Sequence, residues 1–344
     1  MRVHEPAQNE RTPEDEAVVA AARQGDKPAF AELTERYRRE LRAFCYRLLG
    51  SFDDSEDLVQ ETFLKAWRAR ESFEGRSSLR SWLYRIATNA CLDFLASSRR
   101  QVLARDPNEP PELPAHVPWL QPYPDALLDP PAPGDAEPDA RALEKERIEL
   151  AYLVALQFLP ARQRAALVLC DALDWSAKDA ASFLGMTSAA VNASLQRARA
   201  TLREDPSARR PPPSNLGSEK RREFLERYVQ AHERRDVDAI AAVLHEDLRF
   251  SMPPQPERYV GRDAIVRAWV EGGFGTEEFG DMRCVLTSAN RLPAVAVYRR
   301  RPGGERYRAM AFDVLRIEGE LIREVTTFEL DAVREAFGLP EELP

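Results

Sequence analysis

Cysteine is scarce in this chain: four residues in 344, Cys45, Cys91, Cys170 and Cys284, with no CxxC pair among them. That spacing supports neither a disulfide framework nor a zinc site, and it predicts buried free thiols in a reducing compartment, with no metal and no cofactor. Long apolar runs are missing too. None reaches membrane-spanning length, and the opening MRVHEPAQNERTPEDE has no apolar signal core, so the expectation is a soluble, cytoplasmic protein without a membrane partner. Basic charge is absent from one long stretch, since residues 106–139 hold eight acidic side chains and no lysine or arginine. The net charge of −8 would argue against a nucleic-acid binder if the charge were spread evenly. It is not: Arg197, Arg199, Arg203, Arg209, Arg210, Lys220, Arg221 and Arg222 crowd one short segment. A basic face can bind phosphate while acidic stretches elsewhere keep the total negative.

Length suggests two or three domains, and composition shifts divide the chain. Residues 1–14 read as a disordered tail. Residues 15–100 are helical almost throughout, with helices over Glu16–Gln24, Lys27–Leu49, about Asp53–Arg70 (opened by an Asp53/Glu56 capping box) and Leu79–Ser97. Residues 101–141 carry eleven prolines among acidic residues, a composition that denies helical continuity and cannot bury a core. This is a linker, yet Trp119, Leu120, Tyr123, Leu127 and Leu128 inside it suit a segment that docks in a groove. Residues 142–204 form a second helical unit, 205–217 a second linker, and 218–337 a module with α+β texture, followed by a tail at 338–344. In that module two helices precede a strand at Leu248–Met252 and a helix at Gly261–Gly272. Four further runs, Met282–Arg291, Ala294–Arg301, Arg306–Ile317 and Glu320–Glu329, then suggest a curved antiparallel sheet.

Three segments carry chemistry. Between Trp175 and Arg203, Ser176 and Asp179 open a short helix and Gly185 stops it. Thr187 or Ser188 caps a second helix whose Val191, Leu195, Ala198 and Leu202 face inward. Ser188, Asn192, Gln196, Arg197 and Arg199 are left outside, a polar and guanidinium face that fits a major groove. An ordinary helical hairpin with solvated arginines is the plainer alternative. In DDSEDLVQETFLKAW the outer face presents Asp53, Asp57, Gln60, Glu61 and Lys65. An acidic face repels phosphate, so its partner would be a protein surface. In SFEGRSSLRSWLYRIATN, the arginines Arg76, Arg80 and Arg85 lie among Phe73, Trp82 and Tyr84. Ser77, Ser78, Thr88 and Asn89 accompany them. Arginines hold a backbone while aromatic faces and small polar groups receive unstacked bases.

DDSEDLVQETFLKAW followed by FEGRSSLRSWLYRIATNACLDFL resembles region 2 of sigma-70 family RNA polymerase sigma factors of the extracytoplasmic-function group. LPARQRAALVLCDALDWSAKDAASFLGMTSAAVNASLQRARATL resembles their region 4, and residues 218–337 resemble a SnoaL-like domain. The resemblance implies a multidomain fold: two all-α domains, the second with a helix-turn-helix, and a cone-shaped α+β module. It implies that core RNA polymerase and promoter DNA are the partners. Asp53, Asp57, Gln60, Glu61 and Lys65 would then dock on polymerase. Phe73, Arg76, Ser77, Ser78, Arg80, Trp82, Tyr84, Arg85, Thr88 and Asn89 would read and melt the −10 element. Ser188, Asn192, Gln196, Arg197 and Arg199 would read the −35 element, and the linker would thread the polymerase channels. Asn192 and Ser194 stand where many relatives carry basic residues, which points to a weaker or differently specific −35 contact.

For the cone, the candidate pocket for a small-molecule ligand is Phe250, Met252, Tyr259, Trp269, Asn290 and Tyr298, with His232 and His245 expected on helix surfaces. No catalytic residue is assigned, and the chain is not read as an enzyme. The implied role of the module is regulation, in place of or beside an anti-sigma factor. A stand-alone, ligand-sensing helix-turn-helix regulator is the competing reading, though it would need neither the acidic face nor the aromatic-basic segment. An enzyme with helical regulatory domains is a third.

Overall fold

The computed structural model describes residues 13–73, 78–97, 117–128, 148–204, 218–255 and 258–344. Several expectations lie outside these residues: Arg76 and Ser77, the tail before residue 13, most of the first linker, the start of the second helical unit at 142–147, and the second linker. Among the described residues, contacts group 13–97, Leu128 and 155–204 into one compact unit, and 117–127, 148–154 and 218–344 into another. Composition divides the chain otherwise, because polarity marks where a segment can be solvated and says nothing of which partner it finds.

The helical unit begins with α1 (Pro13–Arg23), α2 (Lys27–Leu49) and α3 (Phe52–Arg68). Asp26 accepts from the amide of Ala29 at the start of α2, and Gly50, at φ 71°, closes it by donating its N–H to the Tyr46 carbonyl, the left-handed cap that glycine adopts without strain. The expected Asp53/Glu56 box does not form. Ser51 caps α3 instead, accepting from the Asp54 amide, and Glu56 is turned towards α2, where Arg42 and Arg38 donate to it at 2.7 and 3.2 Å. Helix α4 (Leu79–Ser97) packs on α2 and α3. Its Tyr84 is fully buried, its ring 5.0 Å from Phe44 and 5.8 Å from Trp175.

Helix α5 (Leu150–Gln157) and α6 (Ala161–Leu167) follow, the latter running into a wide π turn at Val168–Ala172. Arg164 on α6 is buried. It donates to the Gln157 side chain at 2.6 Å, to the Gln157 and Leu159 carbonyls at 2.9 and 3.1 Å, and to the carbonyl of Leu48. Leu48 lies in the last turn of α2, whose free carbonyls favour a cation. Then come α7 (Ala177–Leu184) and α8 (Ser188–Glu204). Ser176 caps α7, Gly185 ends it at φ 60°, and Thr187 accepts from the Ala190 amide at the start of α8.

In the C-terminal unit, α9 (Ser218–Glu233) and α10 (Val237–Val243) lead directly into β1 (Leu244–Ser251). Short β2 (Arg258–Val260) and α11 (Arg262–Glu271) come next. Then follow β3 (Asp281–Ala289), β4 (Leu292–Arg300), β5 (Tyr307–Glu318) and β6 (Leu321–Glu329). The sheet order is β2-β1-β6-β5-β4-β3. It is mixed rather than wholly antiparallel, because β1 and β6 run parallel. Residues 338–344, expected as a tail, include β7 (Glu342–Leu343), which pairs with Tyr307 and Arg308 of β5 after the short helix α12 (Leu330–Val333).

Alternation along the strands gives the sheet two occupied faces. Val295, Val297, Leu315, Ile317 and Val325 point into a core shared with Phe224 and Tyr228 of α9 and Ile265 of α11. Val314, Arg316, Glu324 and Thr326 point the other way and, with Leu292, line a small cleft against Glu149, Leu150 and Ala151. A sheet buried on both faces explains why β4 reads as a nearly continuous apolar run.

Candidate DNA and polymerase interfaces

Helix α8 turns the five proposed −35 residues, Ser188, Asn192, Gln196, Arg197 and Arg199, into solvent, while Val191, Leu195 and Ala198 are buried. Arg199 is held on Asp171 by a two-pronged contact of 2.6 and 3.1 Å, which fixes its guanidinium beside the helix. Ser194 is buried, so it lies behind the exposed face rather than on it.

The −10 residues divide. Ser78, Arg85 and Asn89 are exposed, and Arg80 and Trp82 are half-buried. Phe73, Tyr84 and Thr88 lie in the core. Thr88 donates to the Tyr84 carbonyl at 2.7 Å, a bond internal to the helix. Burial, with Glu40 nearby, raises the Tyr84 hydroxyl well above the ordinary tyrosine value. Phe73 stacks at 5.0 Å on Trp82. The expectation that all of these meet bases is therefore corrected for Phe73, Tyr84 and Thr88 as the chain is folded here: the stripe that packs α4 uses them. Arg85 is engaged as well, its guanidinium 5.0 Å from the Phe183 ring and 3.5 Å from the Ser182 hydroxyl of α7.

On α3, Asp53, Asp57 and Gln60 line the outer face, and Glu61 pairs with Lys65 at 2.7 Å. Leu64 is 56% exposed and follows Asp53, Asp57 and Gln60 at helical spacing. An apolar side chain on an acidic face offers a partner something to bury. Periodicity places Leu64 among neither the core nor the polar set, and its position four residues after Gln60 is the signal available.

Of the proposed cone pocket, Phe250, Met252 and Trp269 join the inner core, with Phe250 and Trp269 rings 5.6 Å apart. Tyr259 is partly exposed on β2. Asn290 and Tyr298 are elsewhere. Tyr298 belongs to the opposite strand face and donates to the Pro340 carbonyl at 2.8 Å. Asn290 sits in the β3–β4 turn at φ 55°, a left-handed position that asparagine tolerates. His232 is also corrected: it is buried against Tyr228, Trp269 and Phe274, and burial lowers its pKa to about 4. His245 lies on β1 beside Arg323 rather than on a helix. Inside the cone, unforeseen, Asp313 accepts from Thr327 at 2.6 Å and from the Tyr228 hydroxyl at 3.3 Å, and burial raises its pKa to about 6. An acidic residue within AFDVLRI has no polar neighbour in sequence to mark it.

The fully buried Asn290 organises a different site. Its carboxamide oxygen accepts from the Tyr123 amide at 2.8 Å, its amide nitrogen donates to the Ile148 carbonyl at 2.6 Å, and its backbone N–H donates to the Tyr123 carbonyl at 3.0 Å. Next to it, the Arg291 amide donates to Asp125 at 2.8 Å, and Pro124 bridges to Ala289. Val117, Leu120 and Tyr123 are buried. Two pieces of the connection between the helical regions are thus fastened to one asparagine.

Comparison with known proteins shows the family. The chain matches the family models Sigma-70 region 2 over residues 33–101, Sigma-70 region 4 over 149–202 and SnoaL-like domain over 225–325. It is 38% identical to the ECF RNA polymerase sigma factor SigG of Mycobacterium tuberculosis, over 94% of this chain and 89% of that protein. The chain is an ECF sigma factor. A shorter relative, the ECF sigma factor SigM of the same organism, is 32% identical over 55% of this chain and 82% of its own length. The crystal structure of the M. tuberculosis ECF sigma factor SigJ shares the fold, with a TM-score of 0.55, 23% identity, and coverage of 90% of this chain and 99% of that one. As a sigma factor the protein binds core RNA polymerase and promoter DNA and directs promoter-specific initiation. No helix among the described residues is long and apolar enough to cross a membrane.

Proposed function

We propose that this sigma factor is held in check by its own C-terminal module, which grips the connection between regions 2 and 4. The Asn290 clamp carries the reading: one buried side chain ties Tyr123 and Ile148, 142 residues or more upstream, to the β3–β4 turn. A linker held there is not free to thread polymerase. Within the helical unit, Arg164 and the Arg85–Phe183 contact favour a form with regions 2 and 4 packed together, whereas the −10 and −35 elements must be met by separated domains. Core polymerase shifts the population by binding the open form alone, through Asp53, Asp57, Gln60, Glu61, Leu64 and Lys65. The exposed α8 face then reads the −35 element. Opening frees Arg85 from Phe183 and Ser182, and it joins Arg80, Trp82 and Asn89, with Ser78 and the segment bearing Arg76 and Ser77, on the −10 strand. The site of action is wherever polymerase works, the cytoplasm. A small molecule seated against Phe250, Met252 and Trp269 would act through the same equilibrium, and no catalytic role is assigned to the module.

Run-off transcription with purified core polymerase tests the clamp. N290A and D125A in the full chain should raise promoter output several-fold, and removal of 218–344 should alter it at least as much. D125A leaves the core intact and removes only an acceptor at the edge of the clamp, so it separates release from misfolding. Unchanged transcription in D125A and in the truncated chain would overturn the reading.

A further inference from the structure

Beyond the sigma regions, the C-terminal module bears a basic groove. Where β4 ends and β5 begins, a groove of about 620 Å³ is lined by Arg299, Arg301, Arg306 and Arg308 over a floor of Ala309 and Met310. Among the described residues, Glu305 and Glu342 are the acidic groups that oppose these four cations within the groove. Arg299 stacks 4.9 Å above Phe279, its pKa lowered by burial and by Arg301 beside it. Next door, Arg283 and Arg300 both lie 4.7 Å from the Tyr307 ring. Glu342 shows what the groove accepts. Its carboxylate rests between Arg308, at 3.1 Å, and Arg306, at 3.8 Å, held there by the β7 pairing. Arg308 and Arg306 nevertheless keep 80% and 62% of their side chains exposed.

We propose that this groove binds the phosphodiester backbone of duplex DNA, giving the sigma factor a third, sequence-independent DNA contact on its C-terminal module. Guanidinium forks match phosphate oxygens, and an open row of them suits a repeating anion better than one small ligand. Base edges need play no part, because contacts to phosphate oxygens hold a duplex without reading its sequence. Glu342 occupies one phosphate position and competes for it. The groove and the linker clamp share no residue, so either can fail without the other.

Binding of the full chain to a 30-bp duplex of arbitrary sequence, followed by fluorescence anisotropy across a salt series, tests it. R301A/R306A/R308A should weaken binding at least tenfold at low salt. It should also flatten the log–log salt slope by about 2–3, near 0.9 for each phosphate left without its arginine. E342Q should tighten binding. The three arginines are at the surface, so thermal unfolding should be unmoved, and R197A/R199A gives the share owed to region 4. An unaltered slope in the triple variant would overturn the proposal, as would a weakening seen with single-stranded RNA or polyglutamate and not with the duplex.

Discussion

Helix α8 keeps its whole polar face in solvent, whereas α4 commits half of its own to packing. Both have a buried stripe and arginines. They differ in neighbours. Helix α8 is backed by α6 and α7 on one side only, so Asn192, Gln196 and Arg197 face solvent. Helix α4 is packed by α2 and α3, and also by α6 and α7. Tyr84 is thereby drawn into the core, and Arg85 is laid on Phe183. A preformed surface can bind duplex on contact, while a surface that is partly interior must first be uncovered. One chain can therefore hold a constitutive reader and a conditional one.

The contrast is open to test, beginning with its largest effect. Y84A should destabilise the helical unit by about 3–5 kcal/mol in urea unfolding, as expected for removing a fully buried aromatic ring, whereas Q196A should change stability by less than about 0.5 kcal/mol. If Tyr84 behaved like Gln196, α4 would not be the packed partner described. R164M should cost about 3 kcal/mol by the same measurement, since it removes a buried cation that donates to the Gln157 side chain and to three carbonyls.

The cone has its own pair, with opposite signs. Asp313 is raised to about 6, so it favours the protonated form in the fold; the stability this lends is complete below about pH 4 and fades as pH rises through about 6. His232 is lowered to about 4 and favours the neutral form; its contribution is complete above about pH 6.5 and fades as pH falls through about 4. Each amounts to roughly 3 kcal/mol at its limit, and they offset one another across that window. H232F should therefore make the module less stable as pH rises from about 4 to about 6, and D313N should make it more stable, as read by hydrogen exchange along α9 and β5. Parallel pH profiles in the two variants would refute the assignment.

The contact surfaces carry smaller effects. R85A should lower open-complex formation several-fold with little change in duplex affinity, and Q196A the reverse, in promoter-binding and permanganate-footprinting assays. L64S should weaken association with core polymerase by roughly tenfold, about 1.4 kcal/mol, while leaving the fold at least as stable.

Helix boundaries are legible in the sequence because their signals are local. Lys27–Leu49 is bounded by Asp26 and Gly50, and α7 by Ser176 and Gly185, each within a few residues of the end it sets. The inward face of α8 follows from spacing alone. What cannot be read is long-range. Nothing near Tyr84 indicates that Trp175 lies against it, and nothing near Asn290 names Tyr123. The parallel pairing of β1 with β6 and the return of β7 to β5 are likewise choices made by distant segments. Asn290 and Tyr298 resemble pocket residues because polar and aromatic groups in a β module suit a cavity. Their place on the sheet decides otherwise.

The Asn290 clamp also has a direction in time. Tyr123 and its receiving asparagine are 167 residues apart. At ribosomal speeds of about 5–20 residues per second, the linker leaves the exit tunnel roughly 10–30 s before anything exists to grip it. If the clamp restrains the factor as proposed, each newborn molecule passes through an interval of freedom before that restraint is complete. A burst of synthesis would supply unrestrained molecules to any polymerase close to the ribosome, ahead of the matured pool.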